Sequence, residues 1–177
     1  MSPLSRRLLL FGPVGVVAIG GIGFFAMLSG MKHGKYDPRM LPSALIGKPV
    51  PTFNLPGLRS ADLASGRPVL LNFFASWCVP CIAEAEILLQ LQRSGVKIFG
   101  IAYKDKPDAT ASFLGRNGNP YHAIAADTGS VAIDFGVYGV PETYAIDGGG
   151  ILRARWAGAL TAEIVRNELS PLLKQIA

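Results

Sequence analysis

Cysteine and histidine are nearly absent from this sequence: its 177 residues carry two of each. Two cysteines exclude the disulfide-dense scaffolds of small secreted domains. They leave at most one intramolecular disulfide, between Cys78 and Cys81. Histidine is as sparse, with only His33 and His122. A structural zinc site wants four protein ligands, and His33 lies just past a long apolar run, so half a zinc site at the two cysteines has little to complete it. The reading therefore calls for no metal and no cofactor. Charged residues are few as well, 16% of the chain, and the net +5 is unevenly placed. Five basic residues and one acid precede Leu41, whereas the 12 basic and 11 acidic residues that follow nearly cancel. A nucleic-acid partner would need a basic face on the folded domain, so none is expected. Internal repeats and low-complexity tracts are missing too.

What the chain does have is a charge-free stretch over residues 8–28. At ~1.5 Å per helical residue it is long enough for a hydrocarbon core about 30 Å thick. A cleaved signal peptide is the alternative, but the run exceeds the usual ~7–15 apolar residues of such a signal, and no Ala-x-Ala site closes it. We expect an uncleaved signal anchor, with residues 1–7 as a cytoplasmic tail and 29–44 as a linker rich in Gly and Pro. Basic residues flank the run on both sides, which orients it only weakly. Orientation follows instead from the cysteines, since a disulfide-handling domain belongs in an oxidising space. This places residues 45–177 in a bacterial periplasm or its equivalent, held to the inner membrane by a single pass.

Within that domain, Pro51 to Leu63 reads as a short hairpin region. Residues 69–74 form a near-continuous apolar strand, buried on both faces. A helix is predicted over 79–94, with Pro80 in its first turn and Gly95 at its end. A strand over 96–103, a helix over 108–117, a short strand over 122–126 and a helix over 129–135 follow. Strands over 143–147 and 151–156 are joined by Gly148-Gly149-Gly150, a hairpin signal. A closing helix runs from an N-cap at Thr161 to Gln175.

Both cysteines stand in Trp77-Cys78-Val79-Pro80-Cys81, between that strand and that helix, where Cys-x-x-Cys reads as a thioredoxin-type redox centre. An ordinary thiol with a pKa near about 8.5 supplies little thiolate at neutral pH. At a helix N-terminus, unpaired N–H groups and the helix dipole favour the anion. Cys78 is therefore expected to attack a substrate disulfide, and Cys81, further into the first turn and more buried, to resolve the mixed disulfide. Neither Val79 nor Pro80 offers a side-chain donor to the thiolate, which points toward a reductant rather than an oxidase. A purely structural disulfide would close too short a loop to constrain much chain, and the pattern is not the usual peroxidatic one.

With that motif and Val140-Pro141 far downstream, the chain resembles the thioredoxin superfamily. Four stretches narrow the likeness: Asn72 to Cys78, Tyr103-Lys104-Asp105, Gly118-Asn119-Pro120-Tyr121, and Gly136-Val137-Tyr138-Gly139-Val140-Pro141-Glu142-Thr143-Tyr144-Ala145-Ile146-Asp147. They are similar to the CcmG/DsbE family, membrane-anchored thiol:disulfide interchange proteins of cytochrome c maturation. The resemblance implies an α/β thioredoxin fold, a central mixed sheet flanked by helices, behind one transmembrane helix. It implies reduction of disulfides in apocytochrome c or in thiol proteins of its maturation, with electrons from a transmembrane reductase of the DsbD or CcdA type. A general periplasmic disulfide reductase, or a module that binds apocytochrome without turnover, are the alternatives. Carried onto this chain, Cys78 is the nucleophile, Cys81 the resolving thiol and Pro141 a cis-proline, with Val140 backbone groups and Trp77 at the substrate. Trp77 is expected to shield the disulfide or to pack in the core. Where thioredoxin has a buried aspartate this chain has Asn72, so Glu84, three residues after Cys81 on one helix face, and Glu142, next to Pro141, are the candidate assisting acids. Glu86, Asp127 and Tyr144 read as structural or surface residues.

Overall fold

Val69–Phe74 (β3) is apolar at every position but Asn72, and all six residues are buried. A strand covered on both faces needs neighbours on both edges, and β3 has them. Lys97–Tyr103 (β4) lies parallel on one side and Glu142–Ile146 (β6) antiparallel on the other. Ala123–Asp127 (β5) extends the parallel side and Leu152–Ala157 (β7) the antiparallel side, giving the order β5-β4-β3-β6-β7. A two-stranded hairpin, Asn54–Leu55 (β1) with Leu58–Arg59 (β2), precedes the sheet as expected.

The computed structural model describes residues 17, 19–27, 29 and 43–177, and the chain divides into two units, 1–41 and 42–177. In the first unit the described residues are helical and apolar side chains such as Val17, Ile22 and Phe25 are exposed. Among the described residues no helix is long and apolar enough to cross a membrane. Much of the expected span 8–28, the tail before it and most of the linker lie outside the described residues.

Helices cover both faces of the sheet. Val79–Arg93 (α1) buries Cys81, Glu84, Ala85, Leu88 and Leu91, a helical stripe turned inward. Gly95 ends the connection with φ 94°, a conformation that costs glycine nothing. Pro107–Asn117 (α2) and Ser130–Asp134 (α3) follow. Strand alternation divides the core in two. Leu71, Phe73, Ile101, Tyr144, Ile146 and Phe135 pack on the α3 side, while Leu70, Ile98, Ala145, Leu88, Leu91 and Leu169 pack under α1 and the closing helix. A third cluster gathers Phe74, Ala75, Cys78, Cys81, Ala102 and Phe113.

The closing helix departs from the uniform one expected. Thr161 caps it, accepting a 3.2 Å bond from Ile164 N. It then runs as Ala162–Ile164, a π-helical turn Val165–Leu169, and Ser170–Gln175. Pro171, near the start of the last piece, has no N–H to give and crowds the carbonyl four residues earlier. A π turn just ahead of it accommodates the lost bond. Otherwise the domain is the thioredoxin arrangement expected, with boundaries displaced by a residue.

Candidate redox site

The chain leaves β3 at Phe74, turns through Ala75-Ser76-Trp77 and enters α1 with Cys78 as the N-cap. Cys78 and Cys81 form a disulfide with an S–S distance of 2.16 Å and a Cα–Cα distance of 5.3 Å. Cys81 N donates to Cys78 Sγ at 3.2 Å, so a main-chain donor already faces the first sulfur. Pro80 in the first turn removes an N–H that the helix would not have used. Both cysteines are buried, Cys78 at 4% exposure and Cys81 at 2%, in the expected order but with little between them. Trp77 beside them is 59% exposed, which rules out the core-packing expectation.

Opposite the disulfide lies the loop 136–141. The Val140–Pro141 peptide is cis, and Val140 O is 3.4 Å from Cys78 Sγ. Sequence resemblance had put Pro141 here; the fold does so by starting β6 immediately after it.

Of the two candidate acids, the structure turns each to a different face of the sheet. Glu84, on α1 three residues after Cys81, is 1% exposed and points inward under the helix. Asn72 Nδ2 donates to Glu84 Oε1 at 3.0 Å, and Leu160 N to Glu84 Oε2 at 3.0 Å. The same Asn72 amide donates to Thr143 Oγ1 at 3.0 Å and accepts from the Tyr121 hydroxyl at 2.8 Å. Burial lifts the Glu84 carboxyl to about 7, against the two hydrogen bonds that pull it down. Burial also pushes the Tyr121 hydroxyl well up, with the Glu84 charge adding to it. The Tyr121 ring stacks on Phe74 at 4.7 Å and presses on Gly100, where a Cβ would stand 2.9 Å from the ring.

Glu142 alternates onto the α3 face with Tyr144 and Ile146, away from Glu84. Its carboxylate accepts from the Tyr144 hydroxyl and, at 2.6 Å, from Arg155 Nε. It is fully buried, paired with a guanidinium, and on the sheet face opposite the one Glu84 occupies. Burial works against the Arg155 charge, but the hydrogen bond and charge of Glu142 outweigh it and hold the group above its ordinary value. Tyr144 and Asp127 are structural, as expected. Tyr144 fills the core, and Asp127 caps α3 through Val131 N at 3.2 Å and Ala132 N at 2.9 Å.

Three participants went unassigned in the sequence. Tyr121 and Thr143 complete the cage around Asn72. Asp105 accepts from Ser76 N at 2.7 Å, Ser76 Oγ at 2.8 Å, Thr110 Oγ1 at 3.0 Å and Lys106 N at 2.9 Å, tying the start of α2 to the turn before Cys78. Partial burial raises its carboxyl, but these bonds together hold it below the ordinary range. An acid just before a Pro-started helix signals a local cap; its reach to Ser76 needs the parallel β3–β4 register. Among the described residues, no group of three or more His, Cys, Asp and Glu side chains is placed to hold a metal.

A dithiol–disulfide pair at a helix mouth, facing an open carbonyl, can exchange disulfides with another polypeptide. Known proteins resemble the chain at this level. The Redoxin family matches residues 45–172. The thiol:disulfide interchange protein HelX of Rhodobacter capsulatus is 40% identical over 173 residues, covering 93% of this chain and 95% of that one. The thiol:disulfide interchange protein DsbE of Escherichia coli K12 is 46% identical over 144 residues, 77% of this chain and 78% of the relative. Among solved structures, MTB dsbF in mixed oxidised and reduced forms is 25% identical with a TM-score of 0.61, covering 78% of this chain and 100% of that one.

Proposed function

The chain belongs to the Redoxin family, among the thiol:disulfide interchange proteins of the DsbE and HelX kind, and from that premise we propose a reductant of cysteine pairs that must receive haem. It is a thiol:disulfide oxidoreductase; the direction, the clients and the setting are our reading. The observation that carries it is Cys78 Sγ at the N-cap, 3.2 Å from Cys81 N and bonded to Cys81.

In the reduced protein the Cys78 thiolate attacks one sulfur of a client disulfide. That S–S bond breaks, a Cys78–client bond forms and one client thiolate leaves. Cys81 then loses its proton and attacks Cys78 Sγ, the mixed disulfide breaks and the second client thiolate leaves. Two electrons have passed to the client, and the pair ends as the Cys78–Cys81 disulfide. Glu84, buried one turn along from Cys81 and titrating near neutrality, is the base: its carboxylate takes up the Cys81 proton and becomes the neutral acid. Val140 backbone groups beside Pro141 pair with the client's extended chain, and exposed Trp77 meets it at the rim. Val79 and Pro80 bring no side-chain donor to the thiolate, which supports the reducing direction.

Thioether attachment of haem needs free thiols, which a periplasm tends to oxidise. Apocytochrome c and the thiol proteins of its maturation are accordingly the clients, and a DsbD- or CcdA-type membrane reductase the donor. The uncharged run 8–28 supports a single-pass inner-membrane anchor with the domain in the periplasm. Cys81→Ser in the native membrane tests these together. Covalent adducts of apocytochrome c or maturation thiol proteins through Cys78 are expected. A broad set of unrelated clients would favour a general reductase, and no adduct at all would defeat the proposal.

A further inference from the structure

Tyr121 is a titratable group that the exchange chemistry leaves unused, yet its hydroxyl ends on the amide that holds Glu84. The residue stands just before β5 and is half-buried, its ring stacked on Phe74 and its hydroxyl turned inward. That hydroxyl donates to Asn72 Oδ1 at 2.8 Å, its one hydrogen-bond partner among the described residues. Burial holds its proton well beyond the ordinary value of 10, so it is a neutral donor at any working pH. A primary amide has one accepting end and one end with two hydrogens to donate. Asn72 is fully buried, so each end must meet the right partner. Its two hydrogens go to Glu84 Oε1 and Thr143 Oγ1, each at 3.0 Å. Neither of these partners fixes the amide's sense. A hydroxyl accepts or donates, and a carboxyl group does the same once it holds a proton. Tyr121 does fix it, because its hydrogen needs an acceptor and the amide oxygen is the one in reach.

We propose that Tyr121 is a positioning residue for the resolving step: its hydroxyl sets which way the Asn72 amide faces, keeping the amide hydrogens on Glu84, where they favour the carboxylate. Without that hydroxyl the amide turns over when Glu84 is neutral, Oδ1 accepts from the carboxyl hydrogen, and the acid becomes harder to ionise. Tyr121 touches neither sulfur and passes no proton. Around Glu84 stand Asn72 from β3, the Leu160 amide ahead of the closing helix, Cys81 on its own helix, and, through the Asn72 amide, Thr143 from β6 and Tyr121. Of these side chains only Cys81 and Tyr121 can titrate, and Tyr121 stays neutral. The inference rests on the reading of Glu84 as the base for Cys81.

The test has two readouts. In the oxidised protein, the Glu84 carboxyl carbon followed by nuclear magnetic resonance reports its ionisation without any exchange chemistry. In the reduced protein, dithiobis(nitrobenzoate) releases one coloured thiolate as Cys78 attacks and a second as Cys81 resolves, so the pH profile of the second phase reports the base. Tyr121→Phe keeps the ring on Phe74 and removes the hydroxyl. The Glu84 midpoint should rise by about one pH unit, the weight of one hydrogen bond. The second phase should slow about tenfold at pH 6, while the first keeps its profile. Asn72→Leu should raise the midpoint too, and adding Tyr121→Phe to it should shift nothing further, because the hydroxyl acts only through the amide. Should Tyr121→Phe fail to fold, the side-chain N–H resonances of Asn72 in the wild type still decide, since they should move with the Glu84 titration. An unmoved Glu84 midpoint, a further shift in the double variant, or amide resonances indifferent to Glu84 would overturn the role of Tyr121. A Glu84→Gln protein whose second phase keeps the wild-type pH profile would instead defeat the reading of Glu84 as the base, whatever the carboxyl titration shows.

Discussion

Glu84→Gln should flatten a fall in stability that the oxidised wild-type protein shows as pH rises through neutrality. Burial beneath α1 lifts the Glu84 carboxyl from 4.5 to about 7, and the bonds from Leu160 N and Asn72 Nδ2 offset only part of that. The folded state thus holds this proton more tightly than the unfolded chain does. Its stabilising effect is complete below the unfolded value, near 4.5, and disappears as pH climbs through about 7. At ~1.4 kcal/mol per pH unit, the wild type should lose about 2–3 kcal/mol between pH 5 and 8. With 1% of Glu84 exposed, solvent screening removes little of this. Other carboxyls do not confuse the window: Asp62, Asp105 and Asp147 are held low, so their contributions are lost only as pH falls further. The assay is urea unfolding of the oxidised protein at the two pH values, reading ΔG from matched m-values. Glutamine, neutral throughout, should leave a change below about 1 kcal/mol. Wild type and variant with the same pH slope would refute the burial argument and remove Glu84 as a near-neutral proton acceptor.

Gly100→Ala would set a Cβ 2.9 Å from the Tyr121 ring and 3.0 Å from Phe74. Overpacking there should cost about 1–3 kcal/mol, read as a fall in Tm. Because Tyr121 must shift, the pH dependence assigned to Glu84 should change as well. Asp105→Ala removes four accepted hydrogen bonds around a partly exposed carboxylate. It should destabilise by about 1–3 kcal/mol in urea at pH 7. That difference should shrink below pH 4, where the wild-type carboxylate, held below its ordinary value of 3.8, takes up its proton. A constant difference across that range would mean that packing, not the charge, does the work.

Much of the fold was legible because its signals are local. The apolar run 69–74 has the length and composition of a strand buried on both sides, and Cys78 to Cys81 at its end marked the start of a helix. The Gly148-Gly149-Gly150 turn separated β6 from β7, and Thr161 announced the last helix. The π turn was not legible: Pro171 can be satisfied by a kink, a break or a π turn, and packing of Leu169 into the core selects among them. Asp105 was missed for a related reason. Its partners Ser76 and Thr110 stand on either side of it in sequence, and only the parallel β3–β4 pairing brings the first within reach.

The two acids show how register decides what composition leaves open. Glu84 and Glu142 look alike in the sequence, each beside a residue of the redox site. In the sheet, Glu142 pairs with Phe73 and Thr143 with Asn72. Side chains alternate along β6, so Thr143 joins the Asn72 face and Glu142 must turn to the other. A one-residue slip of β6 would exchange their roles. Asn72 then acquires a meaning that its own chemistry does not announce. It replaces a carboxylate with an amide, yet that amide grips Glu84, which α1 lowers onto the same spot. The strand position thus holds the helix carboxyl in place. If so, Asn72→Leu should weaken the hold on Glu84 while leaving the carboxyl buried, and the midpoint of the pH-dependent fall should move above about 7, since one of its two charge-stabilising bonds is lost. A midpoint that stays in place would show that Asn72 serves the core alone.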